Sequence, residues 1–205
     1  MKTFHCTAIL LAALLALASP ALAQTSGVTA AGEHASDSAL DQALANAMTP
    51  GEGQKRLDPM IGTFDVKIQT WVEPSKPPVE SQAVCINSWV LGNRYMQTMF
   101  SGFVLDEPFN GIAYTAYDNV GKRYQMNWMD SGSTAMTQYE GGFAPGTKNA
   151  TLKATVADPL TGKPSPVELR LTITEDGGHT SELWGQGAGS AMFKMMELRY
   201  TRTSK

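Results

Sequence analysis

Val167-Glu168-Leu169-Arg170-Leu171-Thr172-Ile173-Thr174 alternates apolar and polar residues without a break. Successive strand side chains point to opposite faces, so this stretch offers one face to a core and the other to water. A helix, with its period of 3.6, sorts no such order into two faces. The same rule picks out Tyr124, Met126 and Trp128 against Arg123, Gln125 and Asn127, and Leu152, Ala154 and Val156 against Thr151, Lys153 and Thr155. Turn chemistry separates the runs: Gly, Pro, Asn and Asp cluster at 73–78, 91–93, 106–108, 118–122, 130–133, 144–149, 158–166 and 175–178. From Gly62 onward this spacing predicts nine or ten antiparallel strands joined by hairpins. A meander of that length is most stable when it closes, because closure removes edges that pair with other chains. The expected fold is therefore all-β, a closed antiparallel lipocalin-like barrel over 50–205 with one or two short N-terminal helices. A two-sheet sandwich fits the same pattern and stays open as the alternative.

Upstream of the strands the chain changes character. Met1 to Ala23 has Lys2 at its start, an apolar run from Thr7 to Ala18, and Ala21-Leu22-Ala23 as a small-residue cleavage site. That order predicts an export signal removed after Ala23, and hence a periplasmic or secreted product. The apolar run is too short to span a bilayer, and nothing later reaches the ~20 residues a span needs. Residues 24–49 read as a flexible leader, ending in a short helix that Ser38 caps and that places Leu40, Ala43, Leu44, Ala47 and Met48 on one face. Thr49-Pro50-Gly51-Glu52 has capping-box spacing and predicts a second short helix from Pro50 to about Asp58.

Composition narrows the function. The 205 residues hold 16 Lys and Arg against 19 Asp and Glu, and loss of Lys2 with the signal takes the net charge from −3 to about −4. Phosphate binding draws on clustered cations, so a nucleic-acid partner is not expected. Of the two cysteines only Cys85 survives the predicted cleavage, which excludes an internal disulfide, and its place in a strand-like run predicts burial.

The short motifs Gly62-Thr63-Phe64, Trp89-Val90-Leu91-Gly92-Asn93-Arg94-Tyr95, Pro108-Phe109-Asn110-Gly111, Tyr117-Asp118-Asn119, Trp128-Met129-Asp130-Ser131, Tyr139-Glu140-Gly141 and Glu197-Leu198-Arg199-Tyr200-Thr201-Arg202 occur in this order between Gln54 and Thr203. Together they resemble the domain of unknown function 1579 family. The sequence departs from that pattern at Ala113 and Ala116, and at Asn93 where a second glycine is usual; Asn tolerates the left-handed backbone, so the turn survives. The resemblance implies a calycin-like barrel, similar in kind to lipocalins, fatty-acid-binding proteins and nitrobindins, and it implies no established activity.

Chemistry-bearing residues are sparse. His179 follows Glu175-Asp176-Gly177-Gly178, which puts it beside a hairpin turn where a solvated ring is the ordinary reading; a haem ligand, as in the nitrobindin-like proteins, or a general base are the sharper ones. Ser131-Gly132-Ser133 lacks the Gly-x-Ser-x-Gly elbow of a nucleophile, and Asp130 with Glu140 offers a carboxylate pair only if the two face each other. No catalytic residue is assigned, no set of metal ligands is apparent, and an enzyme is the less favoured reading. A barrel of this size holds either a packed core or a small ligand. The predicted lining is Trp89, Arg94, Tyr95, Met99, Tyr124, Met126 and Trp128, rich in Met and aromatic groups, with Arg94 either an inward anchor for an acidic head group or an outward cation. The expected function is the binding of a small apolar or amphipathic ligand without a cofactor. A haem-binding or acid-base enzyme, or a cell-envelope interaction protein, are the alternatives.

Overall fold

The structure is a computed structural model that describes residues 31–186 and 191–203, with side chains from Ser38 onward. The predicted export signal and the start of the leader lie outside the described residues. Contacts divide the chain into Met1–Ala39 and Leu40–Lys205. The second unit carries the sheet.

Ten strands follow one another in space as they do in sequence: β1 (Gly62–Thr70), β2 (Val79–Val90), β3 (Tyr95–Val104), β4 (Glu107–Asp118), β5 (Arg123–Asp130), β6 (Thr137–Phe143), β7 (Asn149–Ala157), β8 (Pro164–Ile173), β9 (His179–Gln186) and β10 (Met192–Arg202). Every neighbour is antiparallel, and β1 pairs with β10 from Phe64↔Arg202 to Thr70↔Met196, so the sheet closes into a barrel. Closure rules out the sandwich. It also answers the edge problem, since every strand has a hydrogen-bonded neighbour on both sides.

The alternation that marked β8 is seen in its burial: Val167, Leu171 and Ile173 face in and are buried. β1 repeats it with Phe64, Val66 and Ile68 inside at 0%, 1% and 1% exposure. Hairpin turns fall where Gly and Asn were read. Leu91, Gly92 and Asn93 take φ of 50°, 65° and 63°, three successive left-handed residues that only a short turn with Gly and Asn at its centre carries cheaply.

The N-terminal helices differ from the sequence reading. α1 runs Ala31–Met48, so the leader's last residues are helical, and the helix starts earlier than Ser38. Its apolar stripe stays uncovered, with Leu40, Leu44 and Met48 each more than half exposed. The second helix is only α2 (Glu52–Lys55), followed by a 3-10 turn at Asp58–Met60. Its cap moves from Thr49 to Gly51, whose backbone N–H donates to Gln54 Oε1 at 2.8 Å. The acceptor of the capping box is thus Gln54 rather than Glu52, and the box sits two residues later than its spacing suggested.

Segment 51–61 then stops one end of the barrel. Leu57 and Met60 turn into the core and are 2% and 8% exposed. Polar side chains tie the segment to the strand ends: Gln54 Nε2 donates to Tyr117 O at 2.9 Å, Tyr124 Oη to Gly53 O at 2.7 Å, Asn87 Nδ2 to Met60 O at 2.9 Å and Trp89 Nε1 to Asp58 Oδ1 at 2.9 Å. Arg202 adds two more, to Ile61 O and Pro59 O, both at 2.7 Å. Backbone groups with no strand to pair with find partners here, as buried ones must. Among the described residues no helix is long and apolar enough to cross a membrane.

Candidate ligand cavity

Inside the barrel lies a cavity of about 330 Å³ lined from β2 to β10 and by the plug residues Leu57 and Met60. Its size falls within the roughly 300–1,000 Å³ of small-molecule pockets. Phe100, Phe109 and Trp128 form one aromatic wall, with Phe109 stacked on Trp128 at 6.4 Å between centroids and Phe100 edge-on to both. These rings sit toward the end away from the plug, where Val104, Phe109, Trp128 and Asp130 are only half-buried.

The predicted lining is brought together only in part. Tyr124, Met126 and Trp128 line the cavity, as the alternation of β5 required. Trp89 lies half-buried at the plugged end, donating to Asp58, and is not part of the wall. Arg94, Tyr95 and Met99 point away from the interior. Arg94 is exposed in its turn, where Nη1 donates to Leu91 O at 3.2 Å and Gly92 O at 3.4 Å; the left-handed turn curls the side chain back over its own carbonyls. Tyr95 and Met99 are 40% and 52% exposed on the outer wall, where Met99 sits between Ile86 and Ile112. Residues the sequence reading passed over complete the lining, among them Met96, Phe100, Leu152, Leu171, Ser181, Met196 and Tyr200.

No Lys or Arg lines the cavity among the described residues, and its one carboxylate is Asp130. Asp130 is engaged: Trp128 Nε1 donates to its Oδ2 at 2.5 Å and the Gly132 N–H to its Oδ1 at 2.9 Å. Glu140 is on the opposite face of the sheet, paired across β5 with Gln125 and held by Arg123 at 3.4 Å. The two carboxylates therefore form no acid-base pair. Asn87 is saturated as well, accepting from Thr98 Oγ1 at 2.7 Å and from the Cys85 thiol at 3.5 Å. Cys85 is buried as expected, and burial pushes its thiol up to about 12, so it stays protonated and unreactive.

His179 departs most from its sequence reading. It is 2% exposed, not solvated, and lines the cavity at the plugged end. Its ring stacks on Tyr200 at 3.9 Å and meets Phe64 edge-on at 4.9 Å. Its Nδ1 is buried and has no hydrogen-bond partner. Burial first, and then the charge of Arg202, hold the imidazole down from 6.5 to about 3, so the ring is neutral at physiological pH. Burial raises the pKa of the neighbouring Tyr200 hydroxyl beyond its ordinary value. Among the described residues no group of three His, Cys, Asp or Glu side chains is placed to hold a metal ion.

The profile of the family described as "Protein of unknown function (DUF1579)" matches residues 49–202, which is the barrel with its plug. The chain belongs to that family. DUF1579 membership thus covers every wall of the cavity, and leaves α1 wholly outside the matched span. The crystal structure of Rv2717c from M. tuberculosis has a similar fold, with a TM-score of 0.58 at 12% identity over 76% of this chain and 100% of that one. At that identity the likeness speaks for the barrel alone. No curated protein matches the chain.

Proposed function

We propose that this DUF1579 protein is an exported carrier or sensor that holds a small apolar or amphipathic molecule inside the barrel. The observation that carries the reading is an apolar cavity of about 330 Å³ inside the barrel with aromatic and thioether walls and, among the described residues, no cation. Desolvating a ligand there is favourable at roughly 25 cal/mol per Å² of apolar surface, and Met126 and Met196 adapt their shape to it. The export signal read from 1–23 supports a place outside the cytoplasm. A fatty-acid head group loses its predicted anchor with Arg94 in the turn, so the amphipathic ligands favoured are uncharged ones.

Haem fits this lining poorly. Two propionates would meet no Lys or Arg, and the His179 ring is already packed between Tyr200 and Phe64. An envelope protein that docks by its outer wall is the second reading, favoured by the exposed row Ile86, Met99 and Ile112 across β2, β3 and β4. That row continues into Val84 and Tyr114 and is interrupted by Ser88, Gln97, Ser101 and Asn110, whereas the cavity wall is mostly apolar.

The test is titration with the uncharged dye N-phenylnaphthylamine. Fluorescence should rise and saturate at one dye per chain. Ala113→Phe, which puts a ring into the cavity from a position 1% exposed, should abolish the rise while leaving the far-UV spectrum unchanged. No rise with the native chain, or an equal rise with a folded Ala113→Phe, contradicts the proposal.

A further inference from the structure

We infer that the outer wall formed by β2 to β5 is where two copies of this chain meet, packed about a two-fold axis beside Met99. The inference stands apart from the cavity and concerns the exterior of the barrel. Segments 82–90, 95–103, 108–116 and 125–129 hold no Lys, Arg, Asp or Glu, so the middle of that wall is free of charge. The far side of the barrel is the opposite. There Glu168 pairs with Lys153 and Arg170, and Glu197 with Lys194 and Arg199, as on a wall that faces water. Across the uncharged side the register aligns Ile86, Met99, Ile112 and Met129 in one row over four strands. Depletion of charge together with exposed Met, Tyr and Ile is the composition of an interface centre, not of a solvated sheet face.

Polar side chains within the wall are paired among themselves. Gln97 Nε2 donates to Tyr114 Oη at 2.9 Å and Ser101 Oγ to Asn110 Oδ1 at 2.8 Å, so covering them leaves few hydrogen-bonding groups unpaired. The lack of charge also names the occupant. A partner of different sequence is ordinarily steered and selected by complementary charge, and this wall offers none to read. In a two-fold contact each residue beside the axis meets its own copy, where a charge would face itself; a neutral row with Met99 at its middle meets its copy without repulsion. The area suffices for a dimer. Four strands spaced about 4.8 Å apart, over the length of Tyr95–Phe103 at about 3.4 Å per residue, make a face of about 19 by 30 Å, or roughly 600 Å² per copy. Two such faces bury about 1,200 Å² in all, the lower end of specific interfaces, which makes the dimer a reversible one with a dissociation constant on the order of micromolar.

Sedimentation velocity over about 1–100 µM protein is the test. The native chain should run as a monomer at the low end and as a dimer at the high end. Met99→Lys sets an ammonium against its own copy and should raise the dissociation constant about a hundredfold or more, leaving a monomer throughout with the far-UV spectrum of the native chain. Ser101→Lys, which deletes no apolar contact, should do the same and covers the case of a Met99 variant that does not fold. Thr155→Lys, on the outward face of β7, should leave the dimer intact. A native chain that stays monomeric at every concentration overturns the inference, and leaves the wall to a different protein or to the residues before α1. A dimer that survives both Met99→Lys and Ser101→Lys, or that Thr155→Lys breaks, overturns it as well.

Discussion

Stability should fall by about 1.4 kcal/mol for each pH unit as the solution is acidified below pH 6.5, and His179→Gln should remove that slope. The cause is the buried ring. Its folded pKa is held down to about 3 while the unfolded chain takes up the proton at 6.5, so between those values the unfolded state binds more protons. Stability is full above 6.5 and is lost as pH falls toward 3, roughly 4–5 kcal/mol in all if the barrel survives that far. Paired carboxylates such as Glu168 and Glu197, held low by hydrogen bonds from Arg170 and Lys194, add their own losses only in the carboxylate range. The region from pH 6.5 to about 5 therefore isolates His179. Urea melts at half-unit pH steps measure it, and an unchanged slope in the Gln variant would show that the ring is solvated after all.

The second large effect concerns two adjacent glycines with opposite fates. A Cβ added at Gly141 on β6 would lie 2.0 Å from Thr151 O and 2.8 Å from Leu152 Cα, both backbone atoms of β7 that cannot swing aside. Gly141→Ala should therefore push β6 off β7 and cost about 3 kcal/mol or more, past the usual range for overpacking because the obstacle is main chain. Gly142→Ala meets nothing within 4 Å. It should be neutral or stabilise by up to about 1 kcal/mol, since alanine loses less chain entropy on folding. Thermal melts of the two variants side by side decide it. Equal behaviour would mean that the β6–β7 register, Gly141↔Leu152 and Gly142↔Thr151, is not the one described.

How far the sequence could be read depended on what each strand carries on its outer face. β8 and β5 have charged or amide residues outside, so alternation alone assigned Leu171, Tyr124, Met126 and Trp128 to the interior. β3 carries apolar groups on both faces, Met96 and Phe100 within and Tyr95, Met99 and Phe103 without. Period-two reasoning has no phase to hold there, and pairing with β2 and β4 supplies it. The misplacement of Tyr95 and Met99 comes from that degeneracy. His179 failed for a different reason, because it sits beside a turn and turns were read as wet, whereas Arg94 was counted in the lining although it lies in the turn itself and is exposed. The burial of His179 is made by Phe64, more than a hundred residues away, and by Tyr200 on the next strand. One local signal was present: His179 shares its parity with Ser181 and Leu183, which also face the cavity. The plug itself was legible only as a short helix. Its long-range ties through Gln54, Asn87 and Arg202 have no trace in local pattern.

Xenon diffraction puts the internal space itself to the test. An apolar cavity lined by Phe100, Leu152, Leu171 and Trp128 takes up xenon under modest pressure, as apolar cavities do. Crystals of the protein should show xenon within the barrel, between the plug and the Phe109–Trp128 pair. An interior filled by repacked side chains, with no xenon inside it, would contradict the account.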